Sequence, residues 1–157
     1  MERHDIRVEI AADPKMLHVV RGLVRGYIEQ VGVAADRADD VVLAVDEACA
    51  NSIRHAYQGQ PDARLELTLG AGPDVVEIQV RDEGVPASRQ ALERKPLAPP
   101  DPANLRPGGL GVPLIYQVFD EVEFRVGDTR GNRVTMRLRR RQPAAAWQER
   151  NSTEGKD

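Results

Sequence analysis

The sequence predicts an α+β two-layer sandwich, with helices on one face of a mixed, mainly antiparallel sheet. Apolar residues recur at helical spacing in two segments near the start of the chain, and alternate with polar residues in later segments. The helical segments precede most of the strands, and short turn sequences join consecutive strands. Strands joined by tight turns pair antiparallel, and the helices then share one side of the sheet.

The first elements are a strand and two helices. Residues 4–10 carry apolar side chains at alternate positions, which is typical of a half-buried strand. A helix begins at Asp13, because aspartate accepts hydrogen bonds from free backbone N–H groups and the proline after it suits a first turn. This helix runs to about Val31 and ends at Gly32. A second helix is predicted over about 36–56.

The later elements are mainly strands. Segments 65–69 and 76–80 alternate apolar and polar residues around a glycine-rich turn, which indicates a hairpin. A short helix is predicted over 112–119. It leads into two more strands, over about 121–126 and 133–138, that are joined by a glycine-containing turn.

A long segment between the hairpin and the short helix holds six prolines, over residues 84–109. A segment of this length inside a small domain is usually a functional lid or a disordered link. The residues from 141 onward show no apolar periodicity, which is typical of a frayed tail. We therefore predict a folded domain over 5–140, a lid over about 84–110 and a disordered tail over 141–157.

Composition excludes several classes of function. The chain has 157 residues, of which 41% are hydrophobic, so it can form a core. Its net charge of −3 and its 4% of aromatic residues argue against a nucleic-acid binder. The single cysteine, Cys49, excludes a disulfide framework. No apolar run is long enough for a membrane span, and the start lacks a signal peptide, so we expect a cytoplasmic protein with no membrane partner.

The second predicted helix carries the first candidate site residues. Glu47 and Asn51 lie four residues apart and so share one helix face. A carboxylate beside an amide oxygen suits a general base next to a magnesium ligand, because magnesium prefers oxygen donors. Taken alone, the pair is explained more simply by a solvated helix face. His55 follows on the same helix, but a site with one histidine makes zinc improbable.

Two further motifs involve glycine. Asp82 ends a predicted strand and Gly84 follows it, so the carboxylate can accept a hydrogen bond from an amino group while the backbone turns away. Gly108, Gly109 and Gly111 precede the short helix, where backbone N–H groups can approach a phosphate. Taken alone, the first motif also fits an ordinary turn, and the second fits a flexible hinge.

Together the three motifs resemble a known set. In the order 47–51, 82–84 and 108–111 they are similar to the N, G1 and G2 boxes of the gyrase and histidine-kinase ATP-binding superfamily, whose fold is the Bergerat fold. The runs 46–57 and 108–115 resemble, more narrowly, the bacterial anti-sigma factor serine kinases. The resemblance covers roughly residues 5–140.

The resemblance implies a role for each matched residue. Glu47 corresponds to the general base, Asn51 to the magnesium ligand and Asp82 to the carboxylate that reads the adenine amino group. Gly84 corresponds to the glycine beneath the base, and Arg54 stands where relatives often have a lysine near the phosphates. The nucleotide-binding positions implied in this way are Asn51, Arg54, Asp82, Gly84, Gly108, Gly109, Leu110, Gly111 and Thr135.

The sequence departs from the family pattern at two places. Relatives often have a second glycine two residues after Gly84, where this chain has Pro86. Many relatives also have an adenine-binding threonine near the start of the last strand. Here Asn132 and Arg133 fill that neighbourhood, and Thr135 comes slightly later.

The resemblance implies an ATP- and Mg²⁺-dependent serine/threonine-protein kinase in a partner-switching pathway. It would phosphorylate a small anti-sigma antagonist protein, sequester a sigma factor or other regulator, and form a homodimer, without binding nucleic acid directly. An alternative is a non-catalytic ATP-binding module that only sequesters a partner. A third option is a detached sensor-kinase ATP domain, which would need a separate dimerisation helix.

Overall fold

The computed structural model describes residues 4–58, 60, 62–96 and 111–140. The described residues form one five-stranded sheet in the order β1-β2-β3-β5-β4, and every neighbouring pair is antiparallel. The strands are β1 Ile6–Ala11, β2 Arg64–Ala71, β3 Val75–Asp82, β4 Glu121–Val126 and β5 Asn132–Arg139. The α-helices are α1 Leu17–Gln30, α2 Ala35–Asn51, α3 Arg89–Leu92 and α4 Gly111–Val118.

This architecture confirms the predicted α+β sandwich, although the described sheet is wholly antiparallel rather than mixed. One face of the sheet carries the buried side chains, which pack against α1, α2 and α4. The core residues with no more than 1% exposure include Val41, Val45, Leu67, Ile78 and Met136. Burial of this apolar face holds the two layers together.

The other face of the sheet is polar and carries ion pairs between strands. Glu77 and Arg137 lie opposite each other on β3 and β5, and Nε of the arginine is 2.8 Å from the carboxylate. Arg7 on β1 forms an ion pair at 2.7 Å with Glu66, which lies diagonally across from it on β2. No helix among the described residues covers this face, which leaves the helical side to build the site.

The start of the first helix follows the predicted signals with one change. The Asp13 side chain accepts a hydrogen bond from the Lys15 N–H at 2.9 Å, and a 3₁₀ turn over Pro14–Met16 precedes α1. Gly32 adopts a φ of +77°, a conformation that glycine takes without strain, at the point where the helix ends.

The second helix changes its geometry where the predicted site begins. It is α-helical to Asn51 and then π-helical over Ser52–Ala56. The Tyr57 N–H accordingly donates to the Ser52 carbonyl, five residues back, at 3.2 Å. The predicted extent to Ala56 is confirmed, but the last turn is wider than an α-turn. Such wide turns often occur at functional sites.

The lid and tail predictions lie largely outside the described residues. Residues 97–110 and 141–157 are not described, so both predictions stay predictions. Within the described start of the proline-rich segment, the short helix α3 is an element that periodicity did not predict. Ser88 caps it by accepting a hydrogen bond from the Ala91 N–H at 3.2 Å. No helix of the described residues is long and apolar enough to cross a membrane.

Cys49 is expected to resist alkylation in the native protein. Its side chain is 0% exposed, and burial, with a smaller contribution from the charge of Asp46, raises the pKa of the thiol to about 12. The thiol is therefore both protonated and inaccessible at neutral pH. Native protein treated with a thiol reagent at pH 8 should stay unmodified, whereas protein unfolded in guanidinium should react with one equivalent. Rapid labelling of the native protein would contradict this placement.

Candidate functional site

A cavity of about 550 Å³ opens between the second helix, the loop after β3 and α4. Its floor is apolar and includes Ala48, Val80, Ile115 and Val134. Its polar side chains come from different elements and include Asn51, Ser52, Asp82 and Asn132. An apolar pocket with a few convergent polar groups is the usual form of a small-molecule site.

Asp82 is the buried carboxylate of this cavity, with 3% exposure. Its Oδ2 accepts a hydrogen bond from the Ser52 hydroxyl at 2.8 Å. Its Oδ1 accepts from the Gly84 N–H at 3.0 Å and from the Asn132 side-chain amide at 2.9 Å. These three donors give the buried carboxyl group the hydrogen bonds that it would otherwise lack.

Gly84 lies against the last turn of the second helix. A Cβ atom built at this position would lie 2.3 Å from the Ala56 carbonyl oxygen, and the Val85 N–H donates to the same oxygen at 2.7 Å. Only glycine permits this close backbone approach. The contact therefore fixes where the loop leaves β3, and with it the wall of the cavity.

Glu47 lies at the other end of the site. Its Oε2 atom is buried and has no hydrogen-bond partner among the described residues. Arg54 approaches it to 3.7 Å, which is within ion-pair range but too long for a hydrogen bond. Arg54 also lies 3.4 Å from Oδ1 of Asn51, so one guanidinium faces both predicted site residues.

Gly111, the first residue of α4, closes over this pair. A Cβ at this position would lie 2.9 Å from Oε2 of Glu47 and 3.2 Å from Nδ2 of Asn51. Because Gly111 has no side chain, the start of α4 can approach both Glu47, the candidate general base, and Asn51, the candidate magnesium ligand. The structure brings Glu47, Asn51, Arg54 and Gly111 into one cluster, and Asn51 and Asp82 line the same cavity.

The residues present fit a magnesium ion in one respect and do not form a complete protein cage. Glu47 supplies a buried oxygen that has no hydrogen-bond partner in the described part of the chain, and Asn51 supplies an amide oxygen beside it. Among the described residues, no group of three or more His, Cys, Asp or Glu could hold a metal by itself. Magnesium commonly takes one or two protein ligands and completes its shell with phosphates and water.

Thr135 is not brought to this cavity, which corrects its placement in the nucleotide site. In β5, Asn132 and Val134 face the helical layer and line the cavity, so Thr135 points to the opposite face. There it lies in register with Gln79 on β3 and Glu123 on β4. Gly108, Gly109 and Leu110 lie outside the described residues.

Replacing Thr135 with valine is expected to leave the affinity for ATP within about twofold, because the side chain lies on the far face of the sheet. Isothermal titration of the wild-type and variant proteins with ATP and Mg²⁺ tests this. Asp82→Asn is the matched positive control and should weaken binding strongly. A large loss of ATP affinity in Thr135→Val would contradict this prediction and show that Thr135 contributes to the nucleotide site.

Two cavity residues escaped sequence reasoning for different reasons. Ser52 looked like part of an apolar helix face, because its role depends on Asp82, which is 30 residues away. In the sequence, Asn132 is only a departure from the family pattern, because its position opposite Asp82 depends on the β3–β5 register. Lys95, from the loop after α3, also lines the cavity.

A second cavity, of about 570 Å³, lies at the ends of β2 and β3 beside Tyr57. Its arginines are largely paired already: Arg64 with Glu9 at 2.6 Å, and Arg81 with Glu83 at 2.7 Å. Asp82 lines this cavity as well, but the cavity lacks the apolar floor of the first one and contains neither Asn51 nor Asn132. The chemistry of the site therefore belongs to the first cavity.

Comparison with protein families identifies the class of this domain. Residues 10–138 match the model of the family described as histidine kinase-like ATPase domain. The match extends from β1 to β5 and includes the whole cluster around Glu47 and Asp82. The fold and the site thus define a histidine kinase-like ATPase domain.

Individual relatives narrow this class. The chain is 30% identical over 121 residues to the serine-protein kinase RsbW of Bacillus subtilis, which covers 74% of this chain and 75% of the relative. It is 31% identical over 129 residues to the RsbW of a Bacillus cereus strain, covering 79% of each. The chain therefore belongs to the RsbW family of serine-protein kinases.

Solved structures agree on the fold. The RsbU and RsbW domains of a Mycobacterium tuberculosis protein superpose with a TM-score of 0.59 at 19% identity, covering 88% of this chain and 33% of that one. The SiaB–SiaC complex from Pseudomonas aeruginosa gives a TM-score of 0.56 at 14% identity, covering 88% of this chain and 91% of the other. At these identities the likeness concerns architecture alone.

Proposed function

We propose that this kinase transfers the γ-phosphoryl group of ATP to a serine or threonine of a small antagonist protein. We further propose that it sequesters a sigma factor or similar regulator when that antagonist is absent or phosphorylated, as a cytoplasmic homodimer. The observation that carries the catalytic part is the buried Oε2 of Glu47, which lies beside Asn51 and Arg54 and accepts no hydrogen bond from the described residues. Membership of a serine-protein kinase family supports the substrate class.

The proposed chemistry assigns one task to each part of the cluster. Glu47 accepts the proton of the attacking hydroxyl, and its place on a helix holds its geometry. Arg54 offers positive charge to the phosphates from the same helix. Magnesium, held by Asn51 and the phosphates, would neutralise charge on the transferred group. Gly108, Gly109 and Leu110, with Gly111, would contact the phosphates as the lid.

The adenine of the nucleotide belongs at the end of the site that lies away from Glu47. Asp82 presents a carboxylate at a depth where water competes little, and it can accept a hydrogen bond from the adenine amino group. Gly84 keeps the loop close to the helix so that a flat ring can lie over the apolar floor. Low aromatic content is compatible with this mode of recognition, because no ring stacking is required.

Label transfer tests the proposed function. The protein is incubated with γ-labelled ATP, Mg²⁺ and, one at a time, small candidate antagonist proteins from the same genome. We expect acid-stable label on serine or threonine of one antagonist. Acid-labile label on histidine would instead indicate a sensor-kinase domain. Tight ATP binding without transfer to any antagonist would favour the non-catalytic binding module.

A further inference from the structure

Asn132 forms a three-way junction inside the cavity. Its Nδ2 donates to Oδ1 of Asp82 at 2.9 Å and to the Val85 carbonyl at 2.9 Å. Its Oδ1 accepts from the Ala87 N–H at 2.8 Å. The orientation of the amide follows from these partners, because a flipped amide would set oxygen against two acceptors and NH₂ against a donor.

This junction determines which lone pair of Asp82 stays open. A carboxylate has about four acceptor sites. Among the described residues, Asn132 and Gly84 donate to Oδ1 of Asp82, and Ser52 alone donates to Oδ2. The remaining capacity therefore lies on Oδ2, in a fixed direction. The exocyclic amino group of a nucleotide base is a hydrogen-bond donor and would supply the fourth hydrogen bond to the Asp82 carboxylate.

The same side chain holds the wall of the cavity. Val85, Pro86, Ala87 and Ser88 all line the cavity. Helix contact fixes this segment at one end, where the Val85 N–H donates to Ala56. Asn132 then holds the Val85 carbonyl and the Ala87 N–H. Asn132 thus joins the carboxylate of Asp82 to the loop over residues 85–87.

We propose that Asn132 is the residue that sets base specificity at this site. By holding Oδ1, it directs the open lone pair of Asp82 Oδ2 at the amino group of a 6-aminopurine, and by holding residues 85–87 it shapes the wall against which the ring lies. Asn132 acts through Asp82 and the loop, so it is a positioning residue. The inference rests on the proposed use of ATP at this cavity.

The test compares ATP with purine riboside 5′-triphosphate, which lacks the amino group, by isothermal titration with Mg²⁺. We expect the wild-type protein to prefer ATP by about tenfold or more, the usual contribution of a hydrogen bond to a charged group. In Asn132→Ala this preference should fall to about threefold or less, because the carboxylate is no longer directed. A residue that merely supported the fold would weaken both ligands equally and leave the preference intact.

Asn132→Thr separates the two roles and covers the case in which the alanine variant does not fold. A threonine hydroxyl has one proton, so it can donate to Asp82 but not to the Val85 carbonyl as well. Its oxygen also lies one bond closer to the backbone than Oδ1 of asparagine, which accepts from the Ala87 N–H. This variant should keep the preference for ATP, bind both ligands more weakly, and show about tenfold faster hydrogen exchange at the Ala87 amide. Arg133→Ala, on the opposite face of the same strand, is the matched control and should behave as wild type.

The outcomes distinguish the inference from the proposed function. Absence of ATP binding by the wild-type protein would overturn the proposed function and the inference with it. Intact ATP binding with an unchanged preference in Asn132→Ala would overturn the inference alone. Equal binding of both ligands by the wild-type protein, or loss of the preference in Asn132→Thr, would also overturn it.

Discussion

Replacing Glu47 with glutamine is expected to lower the rate of phosphoryl transfer by about 10²–10⁴-fold, while the affinity for ATP stays within about threefold. Glutamine keeps the size of the side chain, so Gly111 can still approach it. It has no carboxylate to accept a proton from the attacking hydroxyl. Transfer is measured with labelled ATP and the antagonist, and affinity by isothermal titration.

Asp46 provides the control for this variant. It is the preceding residue on α2, but its carboxylate faces Arg21 of α1 at 3.1 Å rather than the cavity. Asp46→Asn should therefore keep both transfer and ATP binding. If Glu47→Gln transferred phosphate at the wild-type rate, the buried oxygen would have another role and the base would have to be sought elsewhere.

Replacing Gly84 with alanine is expected to destabilise the protein by about 2–3 kcal/mol, the upper part of the usual range for overpacking. The new Cβ would lie 2.3 Å from the Ala56 carbonyl oxygen and 2.7 Å from the Ala56 Cβ, so the loop must move away from the helix. For a domain of this size the melting temperature should fall by roughly 4–12 °C. Because the Gly84 N–H also donates to Asp82, nucleotide affinity should fall as well.

Gly26 provides a control, because its replacement by alanine is expected to stabilise the protein rather than destabilise it. It lies within α1, and a Cβ built there meets nothing within 4 Å. Gly26→Ala should therefore raise the free energy of unfolding by about 0.5–1 kcal/mol, since alanine favours the helix. Thermal melts and urea titrations of both variants test the contrast. Equal stability of Gly84→Ala and wild type would show that the loop does not pack on Ala56 in solution.

Local spacing explains why part of the site could be predicted from sequence. Glu47 and Asn51 share a helix face by virtue of a four-residue interval, and the structure places them side by side beneath Gly111. Gly84 was placed correctly after a strand, but the reason for its identity, the Ala56 carbonyl, depends on a contact between distant segments. The local sequence pattern is enough to predict the strand that ends before Gly84. The contact between Gly84 and Ala56 can be seen only once the chain is folded.

The roles of Thr135 and Asn132 depend on strand pairing. Side chains alternate between the two faces of a sheet along a strand. Asn132 and Thr135 are three residues apart, so only one of them can face the cavity, and the register of the strand decides which one does. The β3–β5 register sets Asn132 directly opposite Asp82, and nothing in the local sequence indicates that register. The four-residue helix α3 was similarly too short to show a period.

The most direct test is a crystal structure of the protein with a non-hydrolysable ATP analogue and Mn²⁺ in place of Mg²⁺. We predict the adenine amino nitrogen at about 3 Å from Oδ2 of Asp82, and an anomalous manganese peak at the Asn51 side-chain oxygen. The analogue bound in the second cavity beside Tyr57, or manganese held without Asn51, would contradict the assignment of this site.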